Sequence, residues 1–497
     1  MSQPEGTQTN PPAPSGSAVT PLSDSYIAWT QHVRLDGEIR LLNDNARDHL
    51  PEVKKLLELV DKSLIVPEWL ADNKSLQYDP HCNRMKCFRS YIRGLSRGLS
   101  LSKYTKDKDD HDLSIEVEEC LPFLLHIRRH ADALQTYSLG LDPVEADRRH
   151  PVDTLASLVW DFQLDGAIIY RTERQLQIPR ISTNHSRFTQ PDACAFILMP
   201  DSPGVVASAD LKPALSCFPR SLSSSPECRF IPHWVTEFKP HHSEPASRRQ
   251  VVKGLVSALY QRRALGFPNH FVFGTAHHSR TCLEVLAATW VPSDDPARLR
   301  AHSAQEASTE SAVPPVDQAN SSSGDSLQGG DVAGGGPRTD KRVDSNTKLT
   351  IQDIKKYNKI VVYTIAKYSM LDIEPLLELY LLMRQTRILA QQYQEEIRKD
   401  GPDRIDQLSY GAKDFYEWAP PPSPKSDRGR PSKRQRTDDQ SNELGSMTEE
   451  IEDMMSVDQD DGFDESVESG SEELHSLSGA AHTHTWVKVS RVSFLFS

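Results

Sequence analysis

A carboxylate and an ammonium stand two residues apart in HWVTEFKPHH, residues 233–242, as Glu237 and Lys239. Upstream, Pro191-Asp192 opens a second apolar run, PDACAFILMP. In an extended strand successive side chains alternate between faces, so Glu237 and Lys239 point the same way while Phe238 points into a core. Pairing of the two strands would set the Asp192 carboxylate beside Glu237. Two carboxylates and a backbone carbonyl make the hard, oxygen-rich site that Mg²⁺ (or Mn²⁺) takes, with room left for water and a phosphate oxygen. Such an ion polarises a phosphodiester and lowers the pKa of a bound water. A lysine two residues on can orient that water or neutralise charge developing on the phosphorane. Hydrolysis of a nucleic-acid backbone needs groups of these types.

The tripeptide alone decides nothing. An acid, any residue, then lysine is expected about three times by chance in such a chain, and it occurs at Glu52, Asp72, Asp210, Glu237 and Asp353. Context separates them. Glu52 falls in a helical pattern, Asp72 in a polar loop and Asp353 in a lysine-rich helix start. Asp210-Leu211-Lys212 is the competitor, closer to Asp192 and also followed by proline. It leads into more Pro and Ser, however, whereas Glu237 ends a strand and is followed by a helix and two strands.

Several elements must position these groups. LPEVKKLLELVDKS places Leu50, Val53, Leu56, Leu57 and Val60 three and four apart, the spacing of one helical face. IEVEECLPFLLHIRRHADALQTY reads as a second helix, and residues 25–149 as an N-terminal helical region that packs on something else. Within 150–400, strands are expected at 191–200 and 228–240. The helix RRQVVKGLVSALYQRRALG follows, stopped by Gly266 and Pro268. NHFVFGTAHH and CLEVLAATWV read as two more strands, KIVVYTIAKYSM as another, and EPLLELYLLMRQTRILAQQYQEEI as a strong helix. Residues 296–346, with SSSGDS and GGGP, have the composition of a disordered insertion. Residues 1–24 and 401–497 read as disordered ends.

The order Pro191-Asp192, Glu237-Phe238-Lys239, then a helix with Gln250 to Tyr260 resembles the PD-(D/E)XK nuclease superfamily, and more narrowly the nuclease-like domains of fungi. The closing LELYLLMRQTRIL helix adds to the similarity. The resemblance spans roughly residues 150–400. It implies an α/β (α+β) fold of restriction-endonuclease type, a mixed central sheet flanked by helices with a metal at its edge. It implies Asp192 and Glu237 as metal ligands, Lys239 as catalytic lysine and Gln250 as the glutamine of the following helix. Lys253, Ser257 and Gln261 continue Gln250 as a polar stripe, facing either solvent or substrate phosphates. Family members also place a glutamate on the helix before the first motif strand, and here Glu145 and Glu173 are the candidates. A copy lacking that acid would be inactive and would bind DNA or chromatin instead.

His233, His241, His242, His277 and His278 lack a ligand spacing and are expected as exposed polar caps at strand ends, with His241 or His242 able to contact phosphate. His81-Cys82 with Cys87 has no second ligand pair and reads as ordinary buried thiols rather than a zinc site. Seven cysteines without paired spacing suit a reducing compartment. Nothing resembles a signal peptide or a bilayer-spanning run, so no membrane partner is expected.

The net charge of −13 is unevenly placed: residues 449–473 hold twelve acids and no Lys or Arg, leaving about −1 for the remainder. Acidity therefore does not argue against an anionic partner for the core. Before that run, the segment 425–436 carries Arg428, Arg430, Lys433, Arg434 and Arg436. Exposed basic clusters of this kind are bound by nuclear import receptors, so the expected location is the nucleus. Arg428-Gly429-Arg430-Pro431 also resembles an AT-hook, whose arginines enter the narrow A·T minor groove. The expected partner is nucleic acid, DNA foremost.

Overall fold

The computed structural model describes residues 24–43, 47–84, 88–100, 103–136, 144–161, 166–179, 181, 186–199, 212–219, 229–238, 244–292 and 350–411. The chain order is α1 (Asp24–His32), β1 (Leu35–Leu41), α2 (Pro51–Ser63), β2 (Ile65–Pro67), α3 (Asp79–Arg84), α4 (Phe88–Ser100), β3 (Thr105–Asp107) and α5 (His111–Thr136). Next come α6 (Glu145–Trp160), β4 (Ile168–Thr172), β5 (Leu176–Gln177), β6 (Phe188–Thr189), β7 (Ala193–Leu198), the short α7 (Lys212–Leu215) and β8 (Phe230–Phe238). Then follow α8 (Glu244–Ala264), β9 (Val272–His278), β10 (Cys282–Pro292), α9 (Ile351–Lys356), β11 (Tyr357–Ser369) and α10 (Ile373–Gly411).

Seven strands form one mixed sheet in the order β1-β11-β10-β9-β8-β7-β4. β1 with β11 and β8 with β9 are parallel, and the other neighbours are antiparallel. β8 and β9 need a crossover to run parallel, and α8 supplies it. Strand alternation divides the core in two. Cys194, Val235, Leu286 and Val362 join α8 residues Val251, Leu255 and Leu259 in one apolar cluster. Ala193, Trp234, Phe238, Phe273 and Tyr363 join the other, with residues of α2, α5, α6 and α10. The molecule is thus a large mixed sheet flanked by helices on both faces.

The strongly patterned elements lie where their periodicity places them. α8 ends at Ala264, and Gly266 takes φ +87°, with its N–H on the Arg263 carbonyl at 3.0 Å. That left-handed residue is what a glycine after a helix provides. Two features differ from expectation. β1 lies inside the region read as helical, pairing Leu35 with Ile360 and Leu41 with Thr364. Its sequence, LDGEIRL, carries too little alternation to announce a strand. α10 also continues beyond residue 400 to Gly411, through Pro402. Ile405 and Leu408 are fully buried there, and Arg404 Nη1 donates to the Gly266 carbonyl at 2.7 Å, so packing overrides a Gly-Pro stop. The segments 1–23, 293–349 and 412–497, including the expected insertion and the tail, lie outside the described residues. Among the described residues no helix is long and apolar enough to cross a membrane.

Close approach of α8 to the sheet requires glycine at one strand position. A Cβ on Gly274 would sit 2.5 Å from Val251 Cγ1 and 3.0 Å from the Val235 carbonyl oxygen. The backbone neighbour cannot rotate away, so Gly274→Ala is expected to lower unfolding stability by about 1–3 kcal/mol, the usual cost of overpacking. Urea denaturation followed by circular dichroism checks this, and an unchanged midpoint would remove the close-approach argument.

Candidate functional site

The register of β7 on β8 decides where the expected acids fall. Ala193 pairs with Thr236 and Cys194 with Val235, which sets Asp192 across from Glu237. Asp192 Oδ2 accepts the Phe238 backbone N–H at 2.6 Å, extending the ladder by a side chain. Its backbone carbonyl accepts from the Glu173 N–H at 3.0 Å. Asp192 is 8% exposed and Glu237 3%, so both carboxylates are withdrawn from water. Glu237 shares the parity of Val235, so its strand position belongs to the face covered by α8, while Asp192 lies just before β7 at the edge of the ladder.

α8 brings Gln250 to the same place. The Cα of Gly254 lies over Val235, since a Cβ there would meet Val235 Cγ1 at 2.7 Å. Four residues of helix rise about 6 Å and two residues of strand about 6.6 Å. Gln250 therefore stands one turn nearer the carboxyl end of β8, over Glu237. Its Oε1 is buried and makes no hydrogen bond among the described residues. A buried amide oxygen without a donor is costly, and a cation or water between Gln250 and Glu237 would satisfy it. The expected stripe beyond it has another role. Ser257 and Gln261 are fully buried, and Gln261 Nε2 donates to the carbonyls of Leu215 (2.9 Å) and Phe230 (3.1 Å). Both are buried rather than facing solvent, and Gln261 is held against the end of α7 through Leu215.

On the other side of Asp192 stands an arginine that the sequence reading passed over. Arg149, near the start of α6, places Nε 2.8 Å from Asp153 Oδ2, Nη2 3.2 Å from Glu173 Oε1 and Nη1 3.5 Å from Asp192 Oδ1. Burial works against its charge, but Asp153 and Asp192 more than compensate and raise its pKa. Asp153 also accepts the Tyr170 hydroxyl at 2.5 Å, and burial pushes its own pKa up against that contact and Arg149. Of the two upstream acids expected, Glu173 is here, exposed and in a left-handed conformation at φ +56°. Glu145 is the first residue of α6, and its side chain lies outside the described set. Asp153 is the acid on the preceding helix that approaches the site. Its signal in the sequence was the Arg149–Asp153 pair at i,i+4, which fixes both on one helical face.

Across the sheet from Glu237, through Ala276, lies Glu284 of β10. Glu244, His278 and Glu284 offer ligand atoms within 4.8 Å of one another, a set that could hold a metal ion. In this structure cations of the chain already serve it. Arg248 grips both Glu284 oxygens at 2.7 and 2.6 Å, Thr364 donates to one of them at 2.8 Å, and Lys367 pairs with Glu244 at 2.8 Å. His278 Nε2 is 3.4 Å from Glu284 Oε2. Burial would lower the His278 pKa, but contacts with Cys282 and Glu284 raise it to about 9. Burial would raise that of Glu284, yet His278 and Arg248 hold it down at about 2. Two carboxylates facing an arginine, a lysine and a protonated imidazole are fully compensated, so the arrangement is a closed ion-pair network. The expectation of exposed histidine caps fails here: His277 and His278 are 1% and 2% exposed. His277 Nε2 bonds the Arg280 carbonyl at 2.7 Å in the β9–β10 turn.

Lys239, His241 and His242 lie outside the described residues, as do Asp210 and the basic segment with Arg428, Arg430, Lys433, Arg434 and Arg436. Asp192, Glu237 and the Gln250 oxygen, which has no donor among the described residues, are all hard oxygen atoms, the type a divalent ion such as Mg²⁺ takes. No protein-family model and no curated protein matches this sequence.

His233 lies on β8 but not at this end. It is fully buried, its Nε2 bonds the Thr386 carbonyl at 2.9 Å, and burial together with Arg262 holds its pKa down at about 3. His270 is held at about 4, again mainly by burial. Both stay neutral in the folded chain while the unfolded chain takes up protons below about 6.5. Stability should therefore be lost as pH falls from about 6.5 towards 3, with a slope of up to about 1.4 kcal/mol per pH unit per histidine. Denaturation midpoints measured across that range should show a shallower decline in His233→Phe than in the wild type. Parallel profiles would refute the assignment.

Proposed function

We propose that this chain is a metal-dependent nuclease-like protein of restriction-endonuclease-like fold, hydrolysing phosphodiester bonds of nucleic acid, DNA foremost, in the nucleus. The observation that carries the reading is the strand register that sets Asp192 across from Glu237 at one strand end, near a buried Gln250 oxygen with no donor among the described residues. Asp192, Glu237 and Gln250 would hold Mg²⁺ or Mn²⁺, which supplies polarisation of the phosphate and a more acidic water. Asp192 is fixed for this by the Phe238 N–H, which leaves further lone pairs on both carboxylate oxygens. Lys239, two residues past Glu237, orients the attacking water or neutralises charge on the phosphorane. The basic segment from Arg428 to Arg436 engages a nuclear import receptor and adds salt-sensitive affinity for DNA.

A second reading is a nuclease-fold protein that binds DNA or chromatin without cutting it. The approach of Arg149 Nη1 to Asp192 at 3.5 Å favours it, because a positive charge there opposes a cation on the same carboxylate. Purified chain incubated with labelled DNA and RNA separates the two. Catalysis predicts cleavage with Mg²⁺ or Mn²⁺, none with EDTA, and losses of about 10²–10³-fold in Asp192→Asn, Glu237→Gln and Lys239→Ala. Equal background cleavage by wild type and Lys239→Ala would leave only the binding reading, and a gel-shift assay with the same DNA would then measure it.

A further inference from the structure

We infer that Arg149 is an internal cation that competes with the divalent ion for Asp192, so that the site is held in a metal-poor state until this guanidinium moves. The inference rests on the metal reading above and adds a residue that sets the affinity of the site. Three carboxylates from three segments converge on one side chain: Asp153 of α6 at 2.8 Å, Glu173 just after β4 at 3.2 Å and Asp192 just before β7 at 3.5 Å. The Arg149 side chain is 16% exposed and the Asp192 side chain 11%, so solvent screens the pair weakly. Three acids in a partly buried cluster repel one another unless a cation lies among them. Arg149 performs for them what a bound ion would perform.

The contacts are graded. The Asp153 contact is a close hydrogen bond within one helix, whereas the approach to Asp192 is an ion pair beyond good hydrogen-bond length. Arg149 can therefore keep its hold on Asp153 and give up Asp192. Glu173, 62% exposed, offers the guanidinium a place to lean towards solvent. A divalent ion on Asp192 and Glu237 adds positive charge beside Arg149, and each opposes the other's occupancy. Linkage makes the effect reciprocal: whatever draws Arg149 outward, such as the phosphate of a bound nucleic-acid strand, tightens the ion.

Mn²⁺ titrated into the full-length chain by isothermal calorimetry tests this without reference to cleavage. Arg149→Gln should bind Mn²⁺ at least about tenfold more tightly than the wild type. Arg149→Lys, whose single ammonium cannot span three carboxylates, should gain less. Should Arg149→Gln fail to fold, judged by circular dichroism, the lysine variant carries the test with an expected gain of a few fold. Adding Asp192→Asn should abolish the tighter binding in either background. Equal or weaker Mn²⁺ affinity in a folded Arg149 variant, with binding still lost in Asp192→Asn, would overturn the competition while leaving the metal site standing. Absence of Mn²⁺ binding from wild type and both variants would overturn the metal reading, and this inference with it.

Discussion

The antiparallel seating of β7 on β8 governs the candidate site, and one side-chain bond marks its end. Asp192 Oδ2 takes the Phe238 N–H at the point where β7 begins. Because strand side chains alternate with a period of two, a slip of one residue would take Asp192 out of line with Glu237 and turn Trp234 out of its cluster. That register is enforced from both sides: Cys194 and Val235 pack towards α8, while Ala193, Trp234 and Phe238 pack towards the other helices. The position of Gln250 follows from the same constraint, since Gly254 and Gly274 allow α8 to lie close over β8 and β9.

Charge is the second constraint, because this end of the sheet buries acids. A carboxylate withdrawn from water is tolerated only with donors or cations close by. Glu284 has Arg248, Thr364 and His278, and its depressed pKa reflects them. Asp192 has a backbone N–H and Arg149. The Gln250 oxygen has no donor among the described residues. Other buried polar atoms also lack partners, Ser257 Oγ and Gln261 Oε1 of the same helix among them, but the Gln250 oxygen is the one that stands over the strand end carrying Glu237.

Much of this was legible from residue order. The β8–α8–β9–β10 run is strongly patterned, with long apolar strands and a helix closed by Gly266, and its elements lie where the pattern set them. Asp192 and Glu237 were legible as a pair because Asp192 opens one apolar run and Glu237 ends another. What escaped was weakly patterned or non-local. β1 carries almost no strand signal and is held by its partner β11. Glu284 and Arg248 meet because β9 and β10 form a hairpin beneath α8. Ser257 and Gln261 read as a polar stripe facing solvent or phosphates because nothing in the helix reveals that it is buried, with Gln261 held against α7. Arg149 and Asp153 formed an ordinary i,i+4 pair, and only folding brings Asp192 to them.

The two arginines at this edge make a useful contrast. Arg149 and Arg248 are each the fifth residue of their helix, α6 and α8, which approach the sheet from opposite faces. Each is paired within its own helix, Arg149 with Asp153 and Arg248 with Glu244. Their reach to the sheet differs. Arg248 meets Glu284 in a two-pronged contact with both distances under 2.8 Å, the geometry in which guanidinium and carboxylate fit best. Arg149 spreads over three acids, and its contact with the sheet residue Asp192 is the longest. A bidentate pair beside a fully buried acid serves to lock α8 onto β10. A diffuse contact, next to the acid that also anchors β7 to β8, can yield to another cation without disturbing the ladder, because the Phe238 N–H keeps Asp192 in place.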